Sequence, residues 1–422
     1  MGSSSPPPGK LVAAWMRMPL MSREQEECAR ERFLAGWRVA LTTHMIATSV
    51  GLPLALRDAG ASVVACASSP ASTDDDIVDW LNLQPHIRAF GTSSSTEEEG
   101  ERNRLEALDT RPHLIVDEAD ILLGLLYNTR PEHIPVVRGA SVRTLTGVQR
   151  MRSMADRGRL RFPTMAVDNS PIKQIFDNEV GTGQSTVDAL MRTANFSFPG
   201  SCVVVAGYGL CGRGVAARAR GLGADVVVTE VDPLRALQAH MAGYRVMPMA
   251  EASLRGDAFI TATGTVRVIR RDDIHRMKDG VFLLNAGHSS QEIDTEALEK
   301  NAESGTELVP HVTAYRMSDQ KLRYLLAGGS PLNTSAGAGH PPELMDISFA
   351  AQMAGIRYLV RNQGGLEAAV HDLPMDAQKE LARRKLELSD VRIDDSTAEQ
   401  RRYTQQLSGE SDEVFDLTRR IP

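Results

Sequence analysis

The stretch Ser201-Cys-Val-Val-Val-Ala-Gly-Tyr-Gly-Leu-Cys-Gly212 decides the fold. Its apolar, β-branched first half predicts a buried strand over 201–206. Gly207, Gly209 and Gly212 follow in the spacing G-x-G-x-x-G, with Leu210 inside the same turn. A helix is expected over 213–221 and a second strand over 225–229, which runs into Glu230. Strand, glycines, helix, strand and acid in this order form a dinucleotide-binding signature. The glycines let the backbone turn tightly and approach a pyrophosphate, while the helix start supplies amides and a positive dipole end. Glu230 is placed to accept hydrogen bonds from a ribose diol, and an acid there favours NAD over NADP. Further strands are expected over 258–261 and 281–284. The first leads into Ala262-Thr-Gly264, a turn that can lie against the cofactor.

Around this centre the chain is too long, at 422 residues, for one ordinary core, so two domains are expected. Hydrophobic residues at 42% and charged ones at 24% fit a soluble globular protein. The net charge of −7 is spread along the chain, and no basic block argues for nucleic acid. The apolar runs are far too short to span a membrane. The first eight residues lack a signal pattern and read as a disordered arm. Cys28, Cys66, Cys202 and Cys211 make neither a disulfide framework nor a metal-site spacing. A cytoplasmic enzyme with no metal, no membrane partner and no nucleic-acid partner is expected.

Upstream of the glycines, 61–66 reads as a buried strand, and so does His113-Leu-Ile-Val-Asp117. Asp117 stands at the carboxyl end of its strand, where α/β sheets bind ligands. Capping of the next helix is the other reading of that carboxylate. Downstream, 347–361 and 376–388 carry helical periodicity, and 397–422 is polar and loosely patterned.

Between about 115 and 360 the chain resembles S-adenosylhomocysteine hydrolases. The resemblance is carried by Phe176-Asp-Asn178, Gly181-Thr-Gly-Gln-Ser185, Thr229-Glu-Val-Asp-Pro233, Met277-Lys-Asp279, Asn285-Ala-Gly-His288, Glu292-Ile-Asp294 and Gly339-His-Pro341. It extends more weakly to Thr43-His-Met45, Ser72-Thr-Asp74 and Leu373-Pro374. It implies an α/β fold in which a Rossmann-like, doubly wound NAD domain (181–342) is inserted into an α/β substrate domain (1–180 and 343–400), with a tail at 401–422. It also implies an internal redox cycle. Bound NAD oxidises the sugar's 3′-hydroxyl to a ketone, which acidifies the 4′ C–H. A base removes that proton, the 5′ substituent leaves, water adds, and the ketone is reduced again. No side-chain base reaches an unactivated C4′ proton, and the cofactor supplies the missing activation.

The resemblance assigns roles residue by residue. Lys173 and Asp177 match the pair that handles the hydroxyl, Lys173 acting with a depressed pKa. Their i, i+4 spacing puts both on one helix face, where an ordinary surface ion pair is the bland alternative. His44 and Asp117 match the residues near C4′ and C5′, and His288 the one near the 5′ end and the nicotinamide. His340 and Met345 fall at the base. Asn178, Thr144, Thr146, Thr263 and Asn285 match cofactor contacts, although any single Thr is more often β-branched filler.

The chain also departs from the pattern. Val142-Arg143 stands where the family carries two acids, one of which binds the ribose hydroxyls, and arginine has no acceptor to replace it. Ile46 and Thr48 stand where polar groups hold adenine. Thr182 replaces a cysteine found in some members, and Ser289-Ser290 replaces an aromatic and an acid at the homocysteine end. The family's C-terminal Lys and Tyr, which clasp a neighbour's NAD, have no match in Phe415–Pro422. Kept proton-transfer groups with altered recognition point to the same redox start on another nucleoside. The expected activity is dehydration, as in the hydrolase-like enzyme of angustmycin-type nucleoside antibiotic formation. S-adenosylhomocysteine hydrolysis and a non-catalytic NAD-binding regulator are the alternatives. A homo-oligomer, tetramer or dimer, is expected from the resemblance.

Overall fold

The computed structural model describes residues 6–407 apart from Ala119, His288 and Ser289. Strands β1 (Arg38–Thr43), β2 (Ser62–Ala67), β3 (Ile87–Phe90), β4 (Leu114–Asp117), β5 (Gly139–Val142) and β6 (Thr164–Ala166) belong to one sheet. Strands β7 (Cys202–Ala206), β8 (Asp225–Thr229), β9 (Arg245–Val246), β10 (Ala258–Thr261), β11 (Val281–Asn285), β12 (Ala302–Val309), β13 (Val312–Met317) and β14 (Leu322–Leu326) form a second. The last strand, β15 (Val370–Asp372), returns to the first sheet beside β6.

The first sheet is parallel throughout, in the order β15-β6-β5-β4-β1-β2-β3. The second runs β12-β13-β14-β11-β10-β7-β8-β9, with antiparallel pairing only around β13. Each therefore contains the doubly wound order 3-2-1-4-5-6, and each has a crevice where the order reverses. In the first sheet that point lies between β1 and β4, and in the second between β7 and β10. The sequence reading named four strands of the second sheet, β7, β8, β10 and β11, but only β2 and β4 of the equally regular first sheet.

Burial on both faces explains the unbroken apolar runs. Val39 and Leu41 of β1 enter one core while Ala40 enters another on the opposite face. Val203 and Val205 of β7 are divided from Val204 in the same way. The helix expected over 213–221 starts earlier, at Leu210, and that over 347–361 starts at Pro342. The polar stretch near the end holds a helix, Ala398–Leu407. Among the described residues no helix is long and apolar enough to cross a membrane, and the four cysteines are free.

Candidate active site

The carboxyl ends of β1, β4, β5 and β6 deliver four polar groups to the crevice of the first sheet. His44 follows β1, with Nδ1 2.7 Å from Ser72 Oγ and 3.1 Å from Ser68 Oγ. Glu118 follows β4 and takes Nη2 of Arg143, just past β5, at 2.6 Å on both oxygens. Arg143 is 4% exposed; its guanidinium lies 4.7 Å over the Phe349 ring, and Nη1 is 4.0 Å from Asp177. Burial works to raise the Glu118 carboxyl, but Arg143 and then His44 outweigh it and hold it below the ordinary range. Asp168 follows β6, and Lys173 donates to its Oδ1 at 2.8 Å.

Lys173 closes a short turn, Pro171–Lys173, and the chain continues as a π-helix over Gln174–Gly181. In an α-helix, residues five apart lie about 1.4 turns apart and diverge. The wider π turn brings i and i+5 together, and Lys173 Nζ indeed donates to Asn178 Oδ1. Asp177 Oδ1 is farther from Nζ, at 3.7 Å. Its carboxylate is engaged by Ser348 Oγ at 2.6 Å and His340 Nδ1 at 3.1 Å. So the expected single helix face becomes a π segment, and instead of the bland alternative, a surface ion pair, the two residues lie in a buried network.

Two expectations change. Asp117 is fully buried, and its carboxylate accepts from Thr42 Oγ1 at 2.6 Å, Ile121 N at 3.2 Å and Leu123 N at 2.8 Å. It satisfies the first turn of the next helix, with burial raising its pKa. The carboxylate beside His44 and Arg143 is the next residue, Glu118, which sequence reasoning missed. Lys173 is also not depressed. Burial alone would lower the ammonium, but Asp177 and Asp168 outweigh it and raise its pKa above the ordinary lysine value.

The remaining expected residues fall as follows. Thr48 is buried, and its Oγ1 has no hydrogen-bond partner among the described residues. Met345 is buried in the first turn of the helix Pro342–Arg361. Thr144 caps the helix Leu145–Asp156, accepting from Gly147 N at 3.4 Å, and Thr146 is half-buried in its first turn. Asn285 is buried, and its amide ties Gly287 N (2.7 Å), Thr261 Oγ1 (3.0 Å) and Gly329 O (3.1 Å), anchoring loops. Thr263 donates its hydroxyl to the buried Glu292 at 2.6 Å. His288 lies outside the described residues.

The second crevice fits NAD. Gly207 sits at φ +95°, and a Cβ there would meet Thr263 Cγ2 at 2.9 Å. A Cβ on Gly212 would meet Gly207 O at 1.9 Å, so only glycine lets the helix start this close. Gly209 is the N-cap of the helix Leu210–Gly221, and no side chain caps that end. Its first-turn amides are thus left for a pyrophosphate. Glu230 closes β8, and its carboxylate accepts from Tyr208 N at 2.7 Å and from Val231 N at 2.7 Å. This fixes its carboxylate at the strand end, where a ribose diol would come.

Residues 178–339 match the sequence profile of the S-adenosyl-L-homocysteine hydrolase NAD-binding domain. The adenosylhomocysteinase of Thermotoga maritima is 42% identical over 94% of this chain and 98% of its own. That of Archaeoglobus fulgidus is 43% identical over 93% and 97%. The S-inosyl-L-homocysteine hydrolase of Methanopyrus kandleri is 42% identical over 94% of each chain. Similarity at this level over nearly the whole length places the chain, an enzyme with NAD as its cofactor, in the S-adenosylhomocysteine hydrolase family.

Proposed function

We propose that this enzyme hydrolyses an S-nucleosyl-L-homocysteine to the nucleoside and homocysteine. The observation that carries the reading is a shared wall between the two crevices. The segment bearing Lys173, Asp177 and Asn178 packs on the cofactor helix so closely that a Cβ on Gly214 would lie 1.8 Å from Glu179 O. The sugar-handling side chains and the cofactor helix are therefore held together by backbone contact. The relatives' names support a thioether substrate.

Bound NAD would supply reversible hydride chemistry at the sugar's 3′ carbon. In this reading Asn178, Thr144, Thr146, Thr263, Asn285 and the Gly207–Gly212 turn with Leu210 surround it, and Glu230 holds its ribose. Lys173 Nζ orients the 3′ oxygen and, in its neutral fraction, accepts the proton of the 3′-hydroxyl. His44, its ring fixed by Ser72 and Ser68, removes the C4′ proton and protonates the leaving sulfur. Glu118 stands beside it in place of Asp117, and His288 serves the thiol end. Thr48, His340 and Met345 meet the base. One relative is named for an inosyl substrate at the same identity, so adenine and hypoxanthine are both tested below. The substrate part is taken as 1–180 with 343–400, the cofactor part as 181–342, and 401–422 as a tail.

The Arg143–Glu118 pair favours a second reading. It puts a guanidinium among the sugar-handling groups, which suits a nucleoside with a different sugar that loses water instead of a thiol. Purified enzyme with NAD is incubated separately with S-adenosylhomocysteine, S-inosylhomocysteine and psicofuranine, a hydroxymethyl-bearing adenine nucleoside, and followed by mass spectrometry. Free homocysteine from either thioether is the expected result. A product one water lighter from psicofuranine, with both thioethers untouched, moves the enzyme to the second reading.

A further inference from the structure

The nearest carboxylate to Lys173 is not the one its spacing suggests. Nζ is 2.8 Å from Asp168 Oδ1 and 3.7 Å from Asp177 Oδ1. The same Asp168 oxygen accepts from Asn178 Nδ2 at 3.0 Å, and Nζ donates to Asn178 Oδ1. Ammonium, amide and carboxylate thus close a ring in which each bonds the other two. Asp168 is 2% exposed and comes from the β6 loop, ahead of the turn that ends at Lys173 and of the π segment that carries Asn178. That loop is braced by Ser170 Oγ donating to Val167 O at 2.6 Å. Asp177, in contrast, is engaged by Ser348 and His340.

We propose that Asp168 is a positioning residue of this site, fixing Lys173 Nζ against Asn178 and holding it off Asp177 through one carboxylate oxygen. This rests on the reading of Lys173 as the group that handles the sugar hydroxyl. A buried ammonium tied to the β6 loop stands in one place when the sugar arrives, whereas one tied only to the π segment that follows it would move with that segment. Asp168 also adds, after Asp177, to what raises the pKa of that nitrogen against burial and Arg143. The groups facing Lys173 are Asp177 on its own segment, Asp168 from the β6 loop, Arg143 past β5, Glu118 past β4 and Cys211 on the cofactor helix. His340 reaches it through Asp177. Without Asp168, burial and Arg143 are opposed chiefly by the more distant Asp177.

The test uses the NAD-loaded full chain as wild type, Asp168→Asn and Asp168→Glu, with far-UV circular dichroism as the folding control. The first readout is the pH titration of the Lys173 ¹³Cε resonance in lysine-labelled protein, assigned with Lys173→Arg. We expect the proton affinity of Lys173 to fall by about tenfold or more in Asp168→Asn, a full pKa unit, and to recover in Asp168→Glu. An unchanged titration in Asp168→Asn overturns the proposal. The second readout is NADH absorbance after adding adenosine, whose rising pH limb should move to lower pH by the same factor in Asp168→Asn. If wild type forms no NADH, the sugar reading fails, while the resonance still decides what Asp168 does.

Discussion

Asp120 and Glu118, which follow Asp117 closely in the chain, are shifted in opposite directions. Asp120 begins the next helix at φ +64° with its carboxyl buried. Burial, with Asp117 adding to it and Arg150 opposing, pushes its pKa up to about 6. A carboxyl whose folded pKa lies above its unfolded value of 3.8 adds stability in acid. That contribution is complete below about pH 4 and is lost as the pH rises to about 6. Asparagine tolerates positive φ and does not titrate. The melting temperature of Asp120→Asn should therefore gain on wild type between pH 4 and 6 and keep a constant margin above. The Glu118–Arg143 pair is a different case, since removing one partner of a buried ion pair strands the other charge. Glu118→Gln or Arg143→Met alone should cost roughly 3–5 kcal/mol. The double variant should cost less than the sum, as denaturant unfolding of all four proteins would show.

At the scale of the element, the π segment separates what the sequence can tell from what it cannot. Residues 171–185 read as helical in any register, and nothing in Lys173-Gln-Ile-Phe-Asp-Asn178 marks i+5 over i+4. The register accompanies a backbone approach between distant elements, Glu179 O against Gly214 and Gly183 against the Gly214 carbonyl. Such a contact is invisible until both elements are in place. Gly214→Ala tests its importance, because the added methyl forces the two segments apart. Overpacking of this kind costs about 1–3 kcal/mol. Adenosine-dependent NADH formation should fall by far more than such stability loss explains, since Asn178 would leave Lys173. Undiminished NADH formation would mean the π register is incidental. The same reasoning explains Asp117 and Glu118. Both sit at the end of a legible strand, but which one turns to the crevice depends on the helix that follows, whose first amides claim Asp117. Asp168 stayed hidden because Asp168-Asn-Ser-Pro171 reads as ordinary helix-start chemistry. Six strands, β2, β4, β7, β8, β10 and β11, were legible because burial on both faces writes them as apolar runs, and the glycines because their spacing is set by a pyrophosphate.

Over the whole molecule, one segment, Lys173–Gly181, touches both the β6 loop of the first sheet and the helix Leu210–Gly221 of the second. Lys173 is held by the β6 loop of the first sheet, while the Glu179 backbone oxygen lies against Gly214 and its carboxylate pairs with Arg213 at 2.7 Å on the cofactor helix. Cofactor binding should therefore be felt in both halves. A ligand at one hundred times its Kd stabilises the folded state by about 2.7 kcal/mol. For unfolding units of this size that is roughly 5–10 °C in Tm. Scanning calorimetry with and without NAD should show the unfolding of both sheets shifting upward together. NADP should shift it much less, because its 2′-phosphate would meet the Glu230 carboxylate. A shift confined to one transition would mean that the shared segment does not couple the sheets. The fixed relation between Lys173 and the cofactor would then have to come from the substrate instead, and saturating adenosine together with NAD should restore a single shifted transition.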